Sequence, residues 1–172
     1  MVTLGRLDNT PIGTIWAAAA DSTLLAVSLW DDPTRLADDA ARLTGQTPDL
    51  AAPPGPIVIA ALAQLDEYLR GERQVFDLPL PWPALTPFAR EVLTRVYAVP
   101  YGQTSSYGAI AAEMGRSGAV RAVGQANANN PIPIIIPCHR VLGTDGKLHG
   151  YGARGGLETK AWLLRLEGSW LV

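Results

Sequence analysis

A thiol, an imidazole and a guanidinium occupy consecutive positions at Cys138-His139-Arg140, and Cys138 is the only cysteine in the chain. Sulfur is a soft nucleophile that reacts as the thiolate, and cationic neighbours favour that form. Three prolines within seven residues (Pro131, Pro133 and Pro137) lead up to it. Each fixes its own φ and drives the preceding residue out of the helical region, so the spacing predicts a rigid, extended approach ending on the sulfur. A lone cysteine can also serve as a small core hydrophobe. The charged neighbours and stiff backbone favour the nucleophile. Adjacent residues of a strand project to opposite faces, so a direct Cys138–His139 pair is awkward and a water-bridged contact at a strand end is easier.

The remainder of the chain limits what that thiol can do. The 172 residues are 48% hydrophobic and 17% charged, as expected of a folded protein of one ordinary or two small domains. One cysteine excludes an intramolecular disulfide and any multi-cysteine zinc site, and only His139 and His149 accompany it, so no metal is expected. The N-terminal stretch lacks a signal-peptide layout and no apolar run reaches membrane-spanning length, so a cytoplasmic location without membrane contact is expected. The net charge of −2 hides an asymmetry. Residues 1–85 carry 5 Lys/Arg against 11 Asp/Glu, whereas residues 86–172 carry 9 against 5. A polyanion would therefore meet the second half.

The elements that must position these groups can be read from periodicity. Residues 3–30 read as strands, notably 12–18 and 24–30, with Asp21-Ser22 as a turn. Helical spacing follows over 32–43 and, after a loop at 44–56 with four prolines and two glycines, over 57–69. Residues 76–80 suggest a short edge strand, and the four prolines of 79–87 mark a boundary between domains at 1–80 and 86–172. Beyond it, Thr86 and Pro87 open a helix with Phe88, Val92, Leu93 and Val96 on one face. Ser105 or Ser106 caps a second helix, a turn at 115–118 follows, and a third helix covers about 119–128, in helix-turn-helix proportions. That third helix is rich in alanine, with Arg121 its only charge, and suits either a close approach to a nucleic-acid groove or a tightly packed core. A last helix spans 156–166.

The run Ile132-Pro133-Ile134-Ile135-Ile136-Pro137-Cys138-His139-Arg140-Val141, preceded by Asn130 and followed by Gly155-Gly156-Leu157 and Lys160-Ala161-Trp162-Leu163-Leu164-Arg165-Leu166-Glu167-Gly168, resembles the O6-alkylguanine-DNA alkyltransferases. The resemblance covers roughly residues 86–168 and includes Tyr107, Arg121-Ala122-Val123-Gly124 and Tyr151 in family order. It implies an α+β protein with a small, ribonuclease H-like N-terminal sheet-and-helix domain and a mainly helical, winged-helix-like C-terminal domain carrying the cysteine. It implies irreversible, once-only transfer of an alkyl group from O6 of guanine in double-stranded DNA to Cys138, by a monomer without a cofactor. By the same resemblance His139 is the base, through a water, Glu167 orients it and Asn130 braces the turn. Tyr107, assisted by Lys160, protonates the departing guanine; Arg121 fills the gap left by the rotated nucleotide, and Arg116 meets phosphate. Gly108, Ala122, Pro133 and Tyr151 complete the DNA- and substrate-binding set. Taken without the resemblance, Glu167 reads as a surface carboxylate and Tyr107 as core or rim.

Two departures from the family pattern bear on specificity. The connection Gly152-Ala153-Arg154 is about two residues longer than usual, and His149 occupies a place where relatives commonly have a small residue. Its bulk is expected to narrow the alkyl pocket and favour methyl over benzyl adducts. Competing readings are a cysteine-dependent acyl transferase or hydrolase, a non-catalytic lesion sensor, which the presence of Cys138 argues against, and a helix-turn-helix regulator, which the alanine-rich helix argues against.

Overall fold

The computed structural model describes residues 1–170, which form two compact units divided after Leu85. In the first, strands β1 (Thr3–Thr10), β2 (Gly13–Ala20) and β3 (Thr23–Ser28) make an antiparallel sheet in the order β1-β2-β3. Asn9 (φ 59°) and Gly13 (φ 94°) take the left-handed conformations that turn β1 into β2. Helices α1 (Thr34–Thr44) and α2 (Pro56–Leu69) pack on this sheet. The fit is close at Gly5, where a Cβ would lie 2.7 Å from Val58 Cγ1. The core is apolar, built from Leu4, Ile15, Leu24, Leu36, Leu65 and Tyr68 among others.

Two expectations change here. Residues 76–80 form no strand, because Pro79 and Pro81 bring no N–H to a ladder; a single bond from Leu24 N to Pro79 O (2.9 Å) remains. Helix α1 starts at Thr34 rather than residue 32, since the Asp32 carboxylate accepts from Thr34 N (2.9 Å) and closes a turn ahead of it.

In the second unit, α3 (Pro87–Tyr97) opens with Pro87 at its first position and the Thr86 hydroxyl accepting from Ala89 N (3.3 Å). Ser106 caps α4 (Tyr107–Glu113) in the same way (3.0 Å). Gly115 (φ 69°) and a short 3-10 turn at Ser117–Ala119 then lead into α5 (Val120–Ala128), which packs on α3 and α4. The two-residue strand β4 (Ser105–Ser106) pairs in parallel with β5 (Val141–Leu142), so the start of α4 is tied to the chain just after the cysteine. Helix α6 (Leu157–Leu166) closes the unit. The mixed α+β class follows: an antiparallel sheet with helices, then a mainly helical unit. No helix among the described residues is long and apolar enough to cross a membrane.

The approach to Cys138 is not extended. Ile134 adopts φ 71°, Ile136 N donates to Ile132 O (2.9 Å), and Pro133 bridges Ile136, so residues 131–137 fold into a compact turn. Cys138–Arg140 form a single 3-10 turn. The prolines restrict φ but leave Ile134 free to reverse the chain, and burial of every residue from 130 to 143 rewards the compact form.

Candidate active site

Asn130 sets the shape of the turn. Its Nδ2 donates to Ile136 O (2.7 Å) and its Oδ1 accepts from Ile132 N (3.0 Å), so one buried carboxamide satisfies backbone groups on both sides of the reversal. Cys138 N donates to Ile136 O (2.8 Å), and the Cys138 carbonyl accepts from Val141 N and from Asn127 Nδ2 (3.4 Å). The thiol therefore rides on a backbone whose polar groups are satisfied locally.

His139 and Arg140 converge on Glu167, the residue that ends α6. His139 Nε2 lies 2.8 Å from Glu167 Oε1, Arg140 Nη2 donates to the same oxygen (2.9 Å), and Arg140 Nε donates to Oε2 (2.9 Å). Arg140 Nη1 donates to Val99 O (2.7 Å), and the guanidinium lies over the Tyr101 ring, 5.7 Å from its centroid. Tyr101 in turn donates to Leu166 O (3.3 Å). A carboxylate at a helix C-terminus faces the negative end of the dipole, so the bidentate arginine is what makes it tenable there. Gly102 (φ 80°) allows the Pro100–Gln103 turn to close over this end, since a Cβ on it would sit 3.2 Å from Glu167 O.

The electrostatics differ from the sequence expectation. Arg140 is engaged by Glu167 and does not stand beside the thiol as an unbalanced cation. Burial pushes the Cys138 thiol above its ordinary pKa; the Asn130 side chain, Lys160 and the backbone amides of Cys138 and His139 pull the other way. The resting group is a thiol. Burial also lowers the His139 pKa, against the pull of Glu167, so the imidazole is neutral. A neutral ring facing a carboxylate through Nε2 carries its proton there and presents Nδ1 as the basic nitrogen.

Lys160 is fully buried on α6, where its Nζ donates to Val141 O (2.8 Å) and His149 O (3.1 Å) and lies 6.0 Å from the Tyr107 ring centroid. Burial lowers its pKa to about 8, with the Cys138 charge opposing. The Tyr107 hydroxyl is raised, first by burial and then by the Cys138 charge, and is pulled down by a hydrogen bond with Asn127. It remains protonated and able to donate.

The remaining expected residues lie on two surfaces and in the turn. Arg121 and Ala122 are exposed on α5, while Val123 and Asn127 face inward. Arg116, in the turn before α5, is exposed but held near Glu91 (3.9 Å) and over Phe88 (5.7 Å). Gly108 abuts Thr144, 2.9 Å from the position of a Cβ. Tyr151 is half-buried, and Pro133 is buried within the turn. The His149 ring lies at the surface, 3.0 Å from Asp145 Oδ1 and packed over Gly143; its carbonyl, not its bulk, is what Lys160 holds. Sequence reasoning missed Asn127, Tyr101 and the role of Arg140. Asn127 had one signal, its place three residues before Asn130 at the end of a helix; Tyr101 had none.

Residues 87–169 match the 6-O-methylguanine DNA methyltransferase, DNA binding domain, and residues 5–82 match the ribonuclease-like domain of the same enzymes. The chain belongs to the 6-O-methylguanine DNA methyltransferase family. It is 42% identical over 94% of its length to a methylated-DNA–protein-cysteine methyltransferase of Mycolicibacterium paratuberculosis, covering 90% of that relative. It is 40% identical over 95% of its length to one of Salmonella typhimurium, covering 94% of it. The Mycobacterium tuberculosis OGT crystallised in complex with DNA aligns over 97% of this chain and 93% of its own, with a TM-score of 0.76 and 40% identity. The Pyrococcus kodakaraensis O6-methylguanine-DNA methyltransferase aligns over 98% and 99%, with a TM-score of 0.72 and 27% identity.

Proposed function

We propose that this methyltransferase repairs DNA by moving the methyl group from O6 of guanine in a duplex onto Cys138 Sγ, once per molecule. Methyl transfer from methylated DNA to a protein cysteine is the activity named for its relatives, and Cys138 is the only thiol available to receive the group. The observation that carries the assignment is the His139 Nε2–Glu167 Oε1 contact of 2.8 Å, adjacent in the chain to a buried thiol.

The residues support the following sequence of events. His139 Nδ1 takes the thiol proton through a water, and Glu167 with Arg140 holds the imidazole and stabilises its charged form. Sγ forms a bond to the methyl carbon as the O6–carbon bond breaks, and the electron pair left on the base is met by a proton from Tyr107. The thioether persists because a thiolate is a poor leaving group from saturated carbon. Proton return to Tyr107 from His139 through solvent balances the step. A buried nucleophile requires the lesion base to leave the stack. Arg121, on the exposed alanine face of α5, is suited to fill the gap, and the α4–turn–α5 pair to seat in a groove, with Arg116 swinging from Glu91 to a phosphate. The acyl-transferase and lesion-sensor readings lack any observation in their favour.

The test is mass spectrometry of the protein after incubation with a duplex bearing one O6-methylguanine. One added methyl on the peptide containing Cys138, saturating at one per protein, supports the proposal. Restoration of guanine with no gain in protein mass overturns it.

A further inference from the structure

Glu167 serves two partners with one negative charge. Its Oε1 lies 2.8 Å from His139 Nε2 and accepts from Arg140 Nη2 at 2.9 Å, while Oε2 accepts from Arg140 Nε at 2.9 Å. All three side chains are buried, so water screens them little. How firmly Arg140 is held therefore decides how much of the carboxylate charge is left for the imidazole. The turn that follows α3 does the holding. Val99 O accepts from Arg140 Nη1 (2.7 Å), and the Tyr101 ring lies against the guanidinium, with its centroid 5.7 Å from Cζ. The Tyr101 hydroxyl donates to Leu166 O (3.3 Å), the carbonyl one residue before Glu167. One ring thus spans the cation and the helix end that carries its anion. Burial and the Glu167 charge raise the Tyr101 phenol pKa, so the hydroxyl keeps the proton it donates.

We propose that Tyr101 is a positioning residue for methyl transfer: it fixes Arg140 against Glu167, so that the carboxylate does not give its charge wholly to His139. The proposal rests on the methyl-transfer reading above, in which His139 must be neutral to take the thiol proton. The charged groups acting on His139 are Glu167 and Lys160, from α6 and its end, and Arg140 of its own turn. Glu167 favours the imidazolium; Arg140 and Lys160 oppose it. Arginine stays charged at every working pH, so its influence changes only if it moves. With the ring removed, the guanidinium loses one face of its seat and Glu167 pairs more fully with His139. The imidazole then holds a proton to higher pH, and the base is lost on the acid side first.

The experiment is the pH profile of single-turnover methyl transfer on the full chain, from about pH 5 to pH 8 with saturating O6-methylguanine duplex. Tyr101→Leu is expected to move the acid limb up by about half a pH unit, a loss of about threefold on that limb, with the plateau rate changed less than about twofold. In a Glu167→Gln background, where no carboxylate charge remains to redistribute, the same substitution should move the limb by less than about 0.2 unit. A merely structural Tyr101 would lower the denaturation midpoint and the active fraction while leaving the limb of the active molecules in place. That result, or an equal shift in both backgrounds, overturns the proposal. If the leucine variant fails to fold, Tyr101→Phe, which keeps the ring but not its tie to Leu166 O, carries the test. Its His139 imidazole, followed by nitrogen-15 NMR without DNA, should titrate at least about 0.2 unit above wild type, and an unchanged midpoint overturns the proposal. Wild-type protein that gains no methyl on Cys138 refutes the underlying function instead, a failure visible before any variant is made.

Discussion

The two units bury different kinds of residue. Among the described residues of the first, Ser28 is the one buried polar side chain; the second buries Asn127, Asn130, His139, Arg140, Thr159, Lys160 and Glu167. A buried ion costs several kcal/mol of desolvation before any partner repays it, and an apolar replacement of equal volume is commonly as stable. The first unit is therefore explained by packing alone. The second holds charge against its own stability, and every such group lies within reach of the cysteine turn or ends the helix that supports it. Burial of charge separates the chemistry from the scaffold.

The largest effect that would test this contrast is loss of the thiol itself. Cys138→Ser should abolish the methyl mass gain while duplex binding, measured by fluorescence anisotropy, persists. Glu167→Gln removes the carboxylate that balances Arg140 and His139, and denaturant unfolding should report a loss of roughly 3–5 kcal/mol along with slowed transfer. Gel-shift affinity should be retained. In the first unit, Leu65→Ala should cost roughly 2–5 kcal/mol by the same denaturation assay, yet leave the transfer rate per folded molecule unchanged. A first-unit core variant that slowed chemistry as Glu167→Gln does would break the contrast.

A smaller, pH-dependent effect separates the units further. Lys160 has a folded pKa of about 8 against an ordinary 10.5, so between those values the unfolded chain binds more protons and stability rises with pH. From pH 7.5 to 9.5 the gain from this group is on the order of 2 kcal/mol, and Lys160→Met should lack it when urea midpoints of the two proteins are compared at both pH values. A parallel pH response in both proteins would remove Lys160 from the account. The smallest effect is expected at His149. Because its ring is at the surface with Asp145, His149→Gly should alter the ratio of methyl to benzyl transfer rates by less than about twofold, read by competition between the two duplexes.

Much of this was legible in the residues alone. The helix beginning at Thr86-Pro87, the Ser106 cap, the alanine-rich α5 and the last helix carry local signals, because caps, prolines and 3.6-residue periodicity act over one or two turns. The edge strand expected at residues 76–80 failed for a reason the sequence also contained: prolines cannot sustain a ladder. The compact turn at 131–137 was not legible, since the choice between an extended and a reversed Ile134 depends on Asn130 and on the core that receives the isoleucines.

What the sequence determined by itself was the reagent and its kind of chemistry: one thiol, no disulfide partner, a histidine next to it and a basic half around it. What only the tertiary structure decided was the state of those groups. Arg140 sits two residues from Cys138 in the chain but serves Glu167, 27 residues away, and so does not charge the thiol. Burial, which no local pattern encodes, raises the thiol pKa and lowers that of the imidazole, favouring the neutral form of each. Desolvation and hydrogen bonding act through space, and only folding brings residues 99, 127, 140, 160 and 167 around position 138.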